Sequence, residues 1–157
     1  MLDPATGELS PRAEALLYAA DRAQHVHAVV RPSLDVGEVV ITDRYVDSSL
    51  AYQGAGRALA MEEVRRLSEW ATGGLLPDLT VLLDLPPEVG LARARGRAVA
   101  DRLESESLDF HERVRATFRA LAAADPGRYL VLDATRGVEE LAADVRARVG
   151  ALLGVPA

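Results

Sequence analysis

Hydrophobic positions along this chain follow two alternating patterns, a helical spacing and short continuous runs. The first helical pattern begins at Ser10-Pro11, because serine can cap a helix and proline is tolerated at its first position, and it runs to a break near Pro32. The next begins near Met61 and should end at Gly73-Gly74. Three more helical patterns follow, over 87–94, 110–121 and 138–152.

Short apolar runs between these helices predict three β-strands, from Glu38 to Thr42, from Leu79 to Leu85 and from Tyr129 to Leu132. The second run is nearly continuous, which is typical of a strand covered on both faces. Because strands alternate with helices, the pattern predicts an α/β fold with a parallel sheet. The 157 residues fit a single domain, and no linker divides them.

Each predicted strand ends in an aspartate: Asp43, Asp84 and Asp133. The carboxyl ends of parallel strands meet at one edge of a sheet, where a phosphate and metal site would lie. Aspartate is also a common turn residue after a strand, and we favour that role for Asp84 and Asp133. For Asp43 the neighbouring Arg44 favours a functional role.

Composition narrows the possible partners. A net charge of −6 argues against a general nucleic-acid or membrane binder, because both need a positive surface. The chain has no cysteine, no signal-peptide pattern and no apolar run long enough to span a membrane. We therefore expect a cytoplasmic protein.

The segment from Asp43 to Arg57 combines an acid, two guanidinium groups, hydroxyls and an amide directly after the first predicted strand. This segment suits a small, anionic, partly planar ligand, because ligands of an open parallel sheet bind beyond the carboxyl ends of its strands. Arginine holds phosphate through its fork of donors. A surface ion pair with Asp43 or Asp47 is the competing role for Arg44.

Tyr18 and Arg22 lie one helical turn apart and share a face of the first predicted helix. A flat ring beside a guanidinium can stack on a nucleotide base and donate to its carbonyl oxygen. The alternative is a half-buried tyrosine and a salt-bridged arginine.

Arginines also surround the stretch 96–100, at Arg93, Arg95, Arg97 and Arg102. A lid that carries arginines could close on phosphates and exclude water. For Arg93 and Arg95 we favour a solvated helix face instead.

From about Ser10 to Val149 the chain resembles thymidylate kinases, the enzymes that phosphorylate thymidine monophosphate (dTMP) with ATP. The resemblance is carried by the Asp43-to-Arg57 segment, Pro77-Asp-Leu-Thr-Val-Leu-Leu-Asp84, Pro87-Glu-Val-Gly-Leu91, Asp101-Arg-Leu-Glu104 and Asp133-Ala-Thr135. It implies a P-loop kinase-like three-layer α/β fold with catalytic residues Asp43, Arg44, Arg97 and Arg102. It further implies that dTMP contacts Tyr18, Arg22, Arg44, Ser49, Tyr52, Gln53 and Glu104.

The resemblance also implies a role for each of these residues. Arg44 would hold the acceptor phosphate, and Tyr18 with Arg22 would read thymine. Tyr52 would discriminate against a ribose 2′-hydroxyl, while Ser49 and Gln53 would line the sugar and base pocket. In and after the predicted lid, Arg97 and Arg102 would stabilise the transferring phosphoryl group and Glu104 would face the sugar. Asp43 would lie near the Mg²⁺ that accompanies ATP.

The residues that bind ATP in this family have no counterpart here. All 18 basic residues are arginines, so the chain has no G-x-x-x-x-G-K-[ST] loop. The resemblance therefore implies an incomplete thymidylate kinase-like domain over 1–157, without the family's first strand, phosphate loop, first helix and second strand. A truncated or mis-started gene product, a fragment of a longer protein and one half that needs a partner all fit this pattern. We expect the chain to be inactive alone and to bind ATP only when the missing segment is supplied.

Two other functions stay open. One is another nucleoside-monophosphate kinase of the same fold, which would differ in the base that Tyr18 and Arg22 prefer. The other is a non-catalytic nucleotide-binding or interaction protein. The family resemblance also implies a possible homodimer.

Overall fold

A computed structural model of the chain describes residues 7–57, 59–95, 103 and 105–155. Its helices are α1 (Pro11–His25), α2 (Arg31–Asp35), α3 (Val46–Ser49), α4 (Met61–Thr72), α5 (Pro87–Arg95), α6 (Leu108–Ala124) and α7 (Val138–Leu153). Two π-helical stretches, π1 (Val26–Val30) and π2 (Leu50–Gly56), continue α1 and α3, and the strands are β1 (Thr80–Asp84) and β2 (Tyr129–Asp133). Helices and a parallel sheet together confirm the predicted α/β class.

The predicted helix ends are largely confirmed. Ser10 caps α1, its Oγ accepting a hydrogen bond from the Ala13 N–H at 3.2 Å. Gly73 ends α4 with φ +59°, the left-handed conformation that glycine adopts without a Cβ penalty. The predicted break near Pro32 is wrong, because α2 continues the helical path to Asp35. Pro32 lies in the first turn of α2, where a missing N–H costs little.

The sheet of the described residues consists of β1 and β2, paired in parallel from Thr80↔Tyr129 to Asp84↔Asp133. Two of the three predicted strands are thus confirmed. The expectation that the second would be covered on both faces is wrong, since Leu83 is 55% exposed. Among the described elements α6 contacts both strands and α7 contacts β2, which leaves part of β1 uncovered.

The predicted strand from Glu38 to Thr42 is absent: these residues belong to neither a helix nor a strand. Ile41 is 92% exposed and Val39 is 61% exposed. A β-strand forms only where a neighbour satisfies its N–H and C=O groups, and neither β1 nor β2 pairs with this segment. Its apolar pattern alone could not supply that neighbour.

The core is built around π2. Leu50 is 1% exposed and packs with Val46 and Val64, so it joins π2 to α3 and α4. The next residue, Ala51, is fully buried against Phe110 and Val114 of α6. The stripe predicted from residue 110 to 121 is therefore the face of α6 that holds π2 in place. Within the described residues, no helix has the length and hydrophobicity needed to cross a membrane.

Candidate functional site

The predicted ligand-binding segment turns sharply at Arg44. Arg44 has φ +62°, a left-handed conformation that costs a residue with a Cβ of order 1–2 kcal/mol. Such strain persists where the surrounding structure imposes it, and it is common in sites that hold ligands. The turn places Arg44 two residues before α3, which continues directly into π2.

Arg44 extends over the ring of Tyr52, with its Cζ 4.8 Å from the ring centroid. Arg44 is exposed to solvent on one side and partly buried by neighbouring protein atoms on the other, and this partial burial acts to lower its pKa. The Tyr52 hydroxyl, Asp43 and the Tyr18 hydroxyl more than compensate, so the pKa of Arg44 is raised above its ordinary value. Within the described residues Arg44 forms no ion pair, so the predicted competing pairing with Asp43 or Asp47 is not seen.

Tyr52 has a fixed position because its ring packs on α6. Its centroid lies 6.0 Å from that of Phe110 and 6.3 Å from that of Phe118, both in edge-to-face geometry. The ring is thus held on one side by two aromatic residues and covered on another by Arg44. This pairing of Arg44 with Tyr52 was not predicted from the sequence, which paired Tyr18 with Arg22.

Arg22 and Ser49, both predicted to contact the ligand, contact each other. Arg22 Nη1 donates to Ser49 Oγ at 2.9 Å, and the Arg22 side chain is 9% exposed. Burial lowers the pKa of Arg22, while Tyr45, Asp21, Asp47 and Tyr18 oppose that shift. Its Cζ lies 5.6 Å from the centroid of Tyr45, so α1 and α3 hold this guanidinium between them.

Tyr18 lies close to both guanidinium groups. It is half-buried on α1, one turn before Arg22, and its hydroxyl favours the charged forms of Arg22 and Arg44. The structure therefore brings Tyr18, Arg22, Arg44, Ser49 and Tyr52 together from α1, α3 and π2. This arrangement offers an aromatic face and two positive charges at one location.

Gln53 is the remaining described site residue, and its partner was missed by sequence reasoning. Its Nε2 donates to Oε1 of Glu14 at 2.9 Å, and the two residues are 2% and 0% exposed. A signal did exist in the sequence, since Glu14 lies four residues before Tyr18 and eight before Arg22, on the same helical face. A buried carboxylate needs hydrogen-bond donors, so a glutamate on this helical face predicts a hydrogen-bond network around it.

Arg57 joins this carboxylate to the start of α6. Its Nη2 lies 3.4 Å from Glu14 Oε2, and its Nη1 lies 2.6 Å from Glu106 Oε1. Burial acts to lower the pKa of Arg57, but the two carboxylates outweigh it and raise that pKa. Among the described residues, Arg57 therefore forms ion pairs with two carboxylates of the protein itself.

The three predicted strand-end aspartates do not form one cluster. Asp84 and Asp133 are register partners, as expected, but Asp84 accepts two hydrogen bonds from Arg115, at 2.7 and 2.9 Å. Asp133 accepts from the N–H and the hydroxyl of Thr135, which is the turn role expected for it. Asp43 follows no strand, because the segment from Glu38 to Thr42 pairs with neither β1 nor β2. Among the described residues no group of three potential ligands could hold a metal ion.

The predicted lid lies mostly outside the described residues. Arg97, Arg102 and Glu104 all fall there, so their roles stay predictions. Arg93 is described, and its Nη1 donates to the Ala134 carbonyl at 3.1 Å, between α5 and the end of β2. Arg93 is exposed on α5, in agreement with the predicted solvated helix face, and this bond, which was not predicted, ties it to the residue after β2.

Comparisons with known proteins agree on one family. A family model described as thymidylate kinase matches residues 1–145. A protein named thymidylate kinase from Clavibacter michiganensis subsp. michiganensis is 61% identical over 154 residues, which are 96% of this chain and 72% of the relative. A relative of the same name from Leifsonia xyli subsp. xyli is 62% identical over 91% of this chain and 68% of the relative. Another, from Deinococcus radiodurans, is 56% identical over 95% of this chain and 72% of the relative.

Proposed function

Because this chain belongs to the thymidylate kinase family, we propose that its described residues form the part of the kinase that binds dTMP, with Arg44 on the acceptor phosphate. The family model and the relatives are thymidylate kinases, so the alternative of a nucleoside-monophosphate kinase with another base preference is set aside. The observation that carries the proposal is the position of Arg44, strained in φ, stacked on Tyr52 and without an ion pair among the described residues.

Arg44 suits a phosphate because its charge is reinforced and its donors are not used by a carboxylate of the described protein. Charge-assisted hydrogen bonds of this kind contribute roughly 1.5–3 kcal/mol each. Phosphoryl transfer depends mainly on positioning and charge neutralisation, so a rigidly held acceptor phosphate is the main requirement on this side of the reaction. Tyr52 supplies the rigidity, since Phe110 and Phe118 hold its ring.

The nucleoside would lie between α1 and π2. Tyr18 would stack on thymine, and Arg22, already held by Ser49, would donate to a base carbonyl. Gln53 would complete the base pocket, and Tyr52 would leave no space for a ribose 2′-hydroxyl. A prepositioned Arg22 loses little side-chain entropy when the ligand binds, which favours affinity.

ATP and Mg²⁺ belong to the reaction of the family, and the described residues do not by themselves fit the metal. Asp84 and Asp133 are engaged by Arg115 and Thr135, and no group of three ligands occurs among the residues described. A position of Asp43 near the ion stays part of the proposal. Arg97 and Arg102 are proposed to stabilise the transferring group and Glu104 to face the sugar.

We further propose that these 157 residues are the acceptor side of a P-loop kinase-like three-layer domain and do not transfer phosphate alone. The absence of any lysine supports this, because the family's phosphate loop uses one to reach the β- and γ-phosphates. The exposed apolar residues Val39 and Ile41 support it too, since they suit a strand whose neighbour is not among the described elements.

Calorimetric titration tests the proposal directly. The chain should bind dTMP and show no measurable binding of ATP, and a coupled assay should show no turnover. Arg44→Ala should weaken dTMP binding by about tenfold or more, as expected for the loss of one charge-assisted bond. Arg44→Lys should restore little of it, because an ammonium lacks the planar fork.

Arg66 offers a matched control for Arg44. Its side chain is 76% exposed on α4 and pairs with Glu62 at 3.0 Å, away from the proposed pocket. Arg66→Ala removes the same charge and should leave dTMP affinity unchanged. Equal affinities for the parent, Arg44→Ala and Arg66→Ala would refute the assignment of Arg44.

A further inference from the structure

Glu14 of α1 is a carboxylate with no exposed surface, one helical turn before Tyr18 and hydrogen-bonded to Gln53. Its Oε1 accepts from Gln53 Nε2 at 2.9 Å and from Arg57 Nε at 3.4 Å, and its Oε2 accepts from Arg57 Nη2 at 3.4 Å. An uncompensated buried carboxylate is strongly unfavourable, and a buried ion pair is often no more stabilising than apolar residues in its place. Stability alone therefore does not account for a carboxylate here.

The chemistry of the contact determines which way Gln53 faces. An amide side chain presents a donor, its NH₂ group, and an acceptor, its carbonyl oxygen. An ionised carboxylate only accepts, so the NH₂ group of Gln53 must face Glu14. The opposite orientation would set two acceptor oxygens against each other in a buried site. Within the described residues, no hydrogen bond reaches the carbonyl oxygen Oε1 of Gln53.

We propose that Glu14 is a positioning residue, which fixes the amide of Gln53 so that its Oε1 is the acceptor offered to the base. This inference rests on the proposed function for the identity of the ligand. A pyrimidine with a ring N–H, such as thymine, would donate to that oxygen. A pyrimidine whose ring nitrogen is an acceptor, such as cytosine, would meet it with repulsion.

Arg57 keeps Glu14 in this role. Its guanidinium donates to both oxygens of the carboxylate and neutralises its charge, and it is itself held by Glu106 at 2.6 Å. Its guanidinium also lies over the Phe110 ring, with Cζ 5.2 Å from the centroid. The carboxylate can therefore stay ionised and acceptor-only, which is the property that orients Gln53.

The first experiment needs no ligand. The chain contains no asparagine and only two glutamines, Gln24 and Gln53, so a ¹⁵N spectrum should show only two side-chain amide pairs. Gln24 is exposed on α1 and is an internal reference. In the parent, the NH₂ protons of Gln53 should exchange with water at least about tenfold more slowly than those of Gln24, because they are buried and hydrogen-bonded. Equal exchange rates in the parent would overturn the inference without any variant.

The second experiment measures base discrimination by titration with dTMP and with 5-methyl-2′-deoxycytidine monophosphate. These ligands share the methyl group, sugar and phosphate and differ only in the hydrogen-bonding edge of the ring. The parent should prefer dTMP, and Glu14→Gln should reduce that preference by about tenfold, because an amide at position 14 lets Gln53 turn over. Glu62→Gln, which alters an exposed glutamate of α4, should keep the parental ratio.

The outcomes separate the inference from the proposed function. If the parent binds neither nucleotide, the proposed function fails, while the exchange rates still decide the orientation of Gln53. If the parent prefers dTMP and Glu14→Gln keeps that preference within about twofold, Glu14 does not position Gln53 for the base. Loss of affinity for both nucleotides with an unchanged ratio would also overturn the inference, since it would indicate a purely structural carboxylate.

Discussion

Gly56 at the end of π2 is a position where a single added methyl group should meet a buried aromatic ring. A Cβ at this position would lie 2.7 Å from Cε2 and 3.0 Å from Cζ of Phe110, and 3.3 Å from the carbonyl oxygen of Ala51. Real Cβ atoms essentially never approach other atoms as closely as 2.7 Å. In Gly56→Ala, either the Phe110 ring or π2 must therefore move.

The size of the effect follows from how little room Phe110 has. The ring is 2% exposed and packs against Ala51, Val114 and Tyr52, so its displacement disturbs the whole α6 contact with π2. Overpacking of this kind costs about 1–3 kcal/mol. Replacing a helical glycine by alanine would otherwise gain up to about 1 kcal/mol. We expect Gly56→Ala to lower the free energy of unfolding by about 1–2 kcal/mol.

Urea denaturation followed by circular dichroism measures this change, and Gly90→Ala is the control. A Cβ at Gly90 in α5 meets only Leu85 Cδ2 at 3.6 Å, an ordinary contact, so this variant should be unchanged or slightly more stable. Gly56→Ala should also weaken dTMP binding, because π2 carries Tyr52 and Gln53. Combining it with Phe110→Leu, which removes the obstructing ring edge, should cost less than the sum of the single changes. A Gly56→Ala variant that matches Gly90→Ala in stability would refute the packing argument.

Three further outcomes are expected. Asp47→Ala should destabilise the chain by about 2–3 kcal/mol in denaturation experiments, because the part-buried Arg128 loses the carboxylate that lies 2.7 Å from its Nη1 and keeps only the exposed carboxylate of Asp125. A loss below about 0.5 kcal/mol would contradict this. Arg115 holds the pKa of Asp84 below its ordinary value, so this pair stabilises the fold above about pH 4 and stabilises it less as the pH falls further. The difference in stability between the parent and Arg115→Ala should therefore shrink in acid, and a constant difference would argue against the pair. Tyr18→Ala should weaken dTMP binding by roughly 1–3 kcal/mol in titration calorimetry, and unaltered affinity would exclude stacking on the base.

Local patterns in the sequence determined the five longest helices, α1, α4, α5, α6 and α7, and two of the strands, but not α2, α3 or π2. The cap at Ser10, the left-handed glycine at Gly73 and the apolar stripe of α6 each depend on residues within a few positions of one another. Short-range hydrogen bonds and side-chain periodicity therefore suffice to predict them. The thymidylate kinase resemblance also came from sequence alone, because its motif residues lie close together along the chain.

Only the tertiary structure decided what each side chain meets. The segment from Glu38 to Thr42 has a strand's composition, but no neighbour among the described strands, and pairing is a long-range property. Glu14 and Gln53 are 39 residues apart, so no local pattern joins them, and their contact arises from packing π2 against α1. The sequence alone predicted which residues would bind a nucleotide. The tertiary structure decided that Arg22 is held by Ser49 and that Gln53 faces Glu14, because buried charges and amides take their partners from whichever elements the fold brings together.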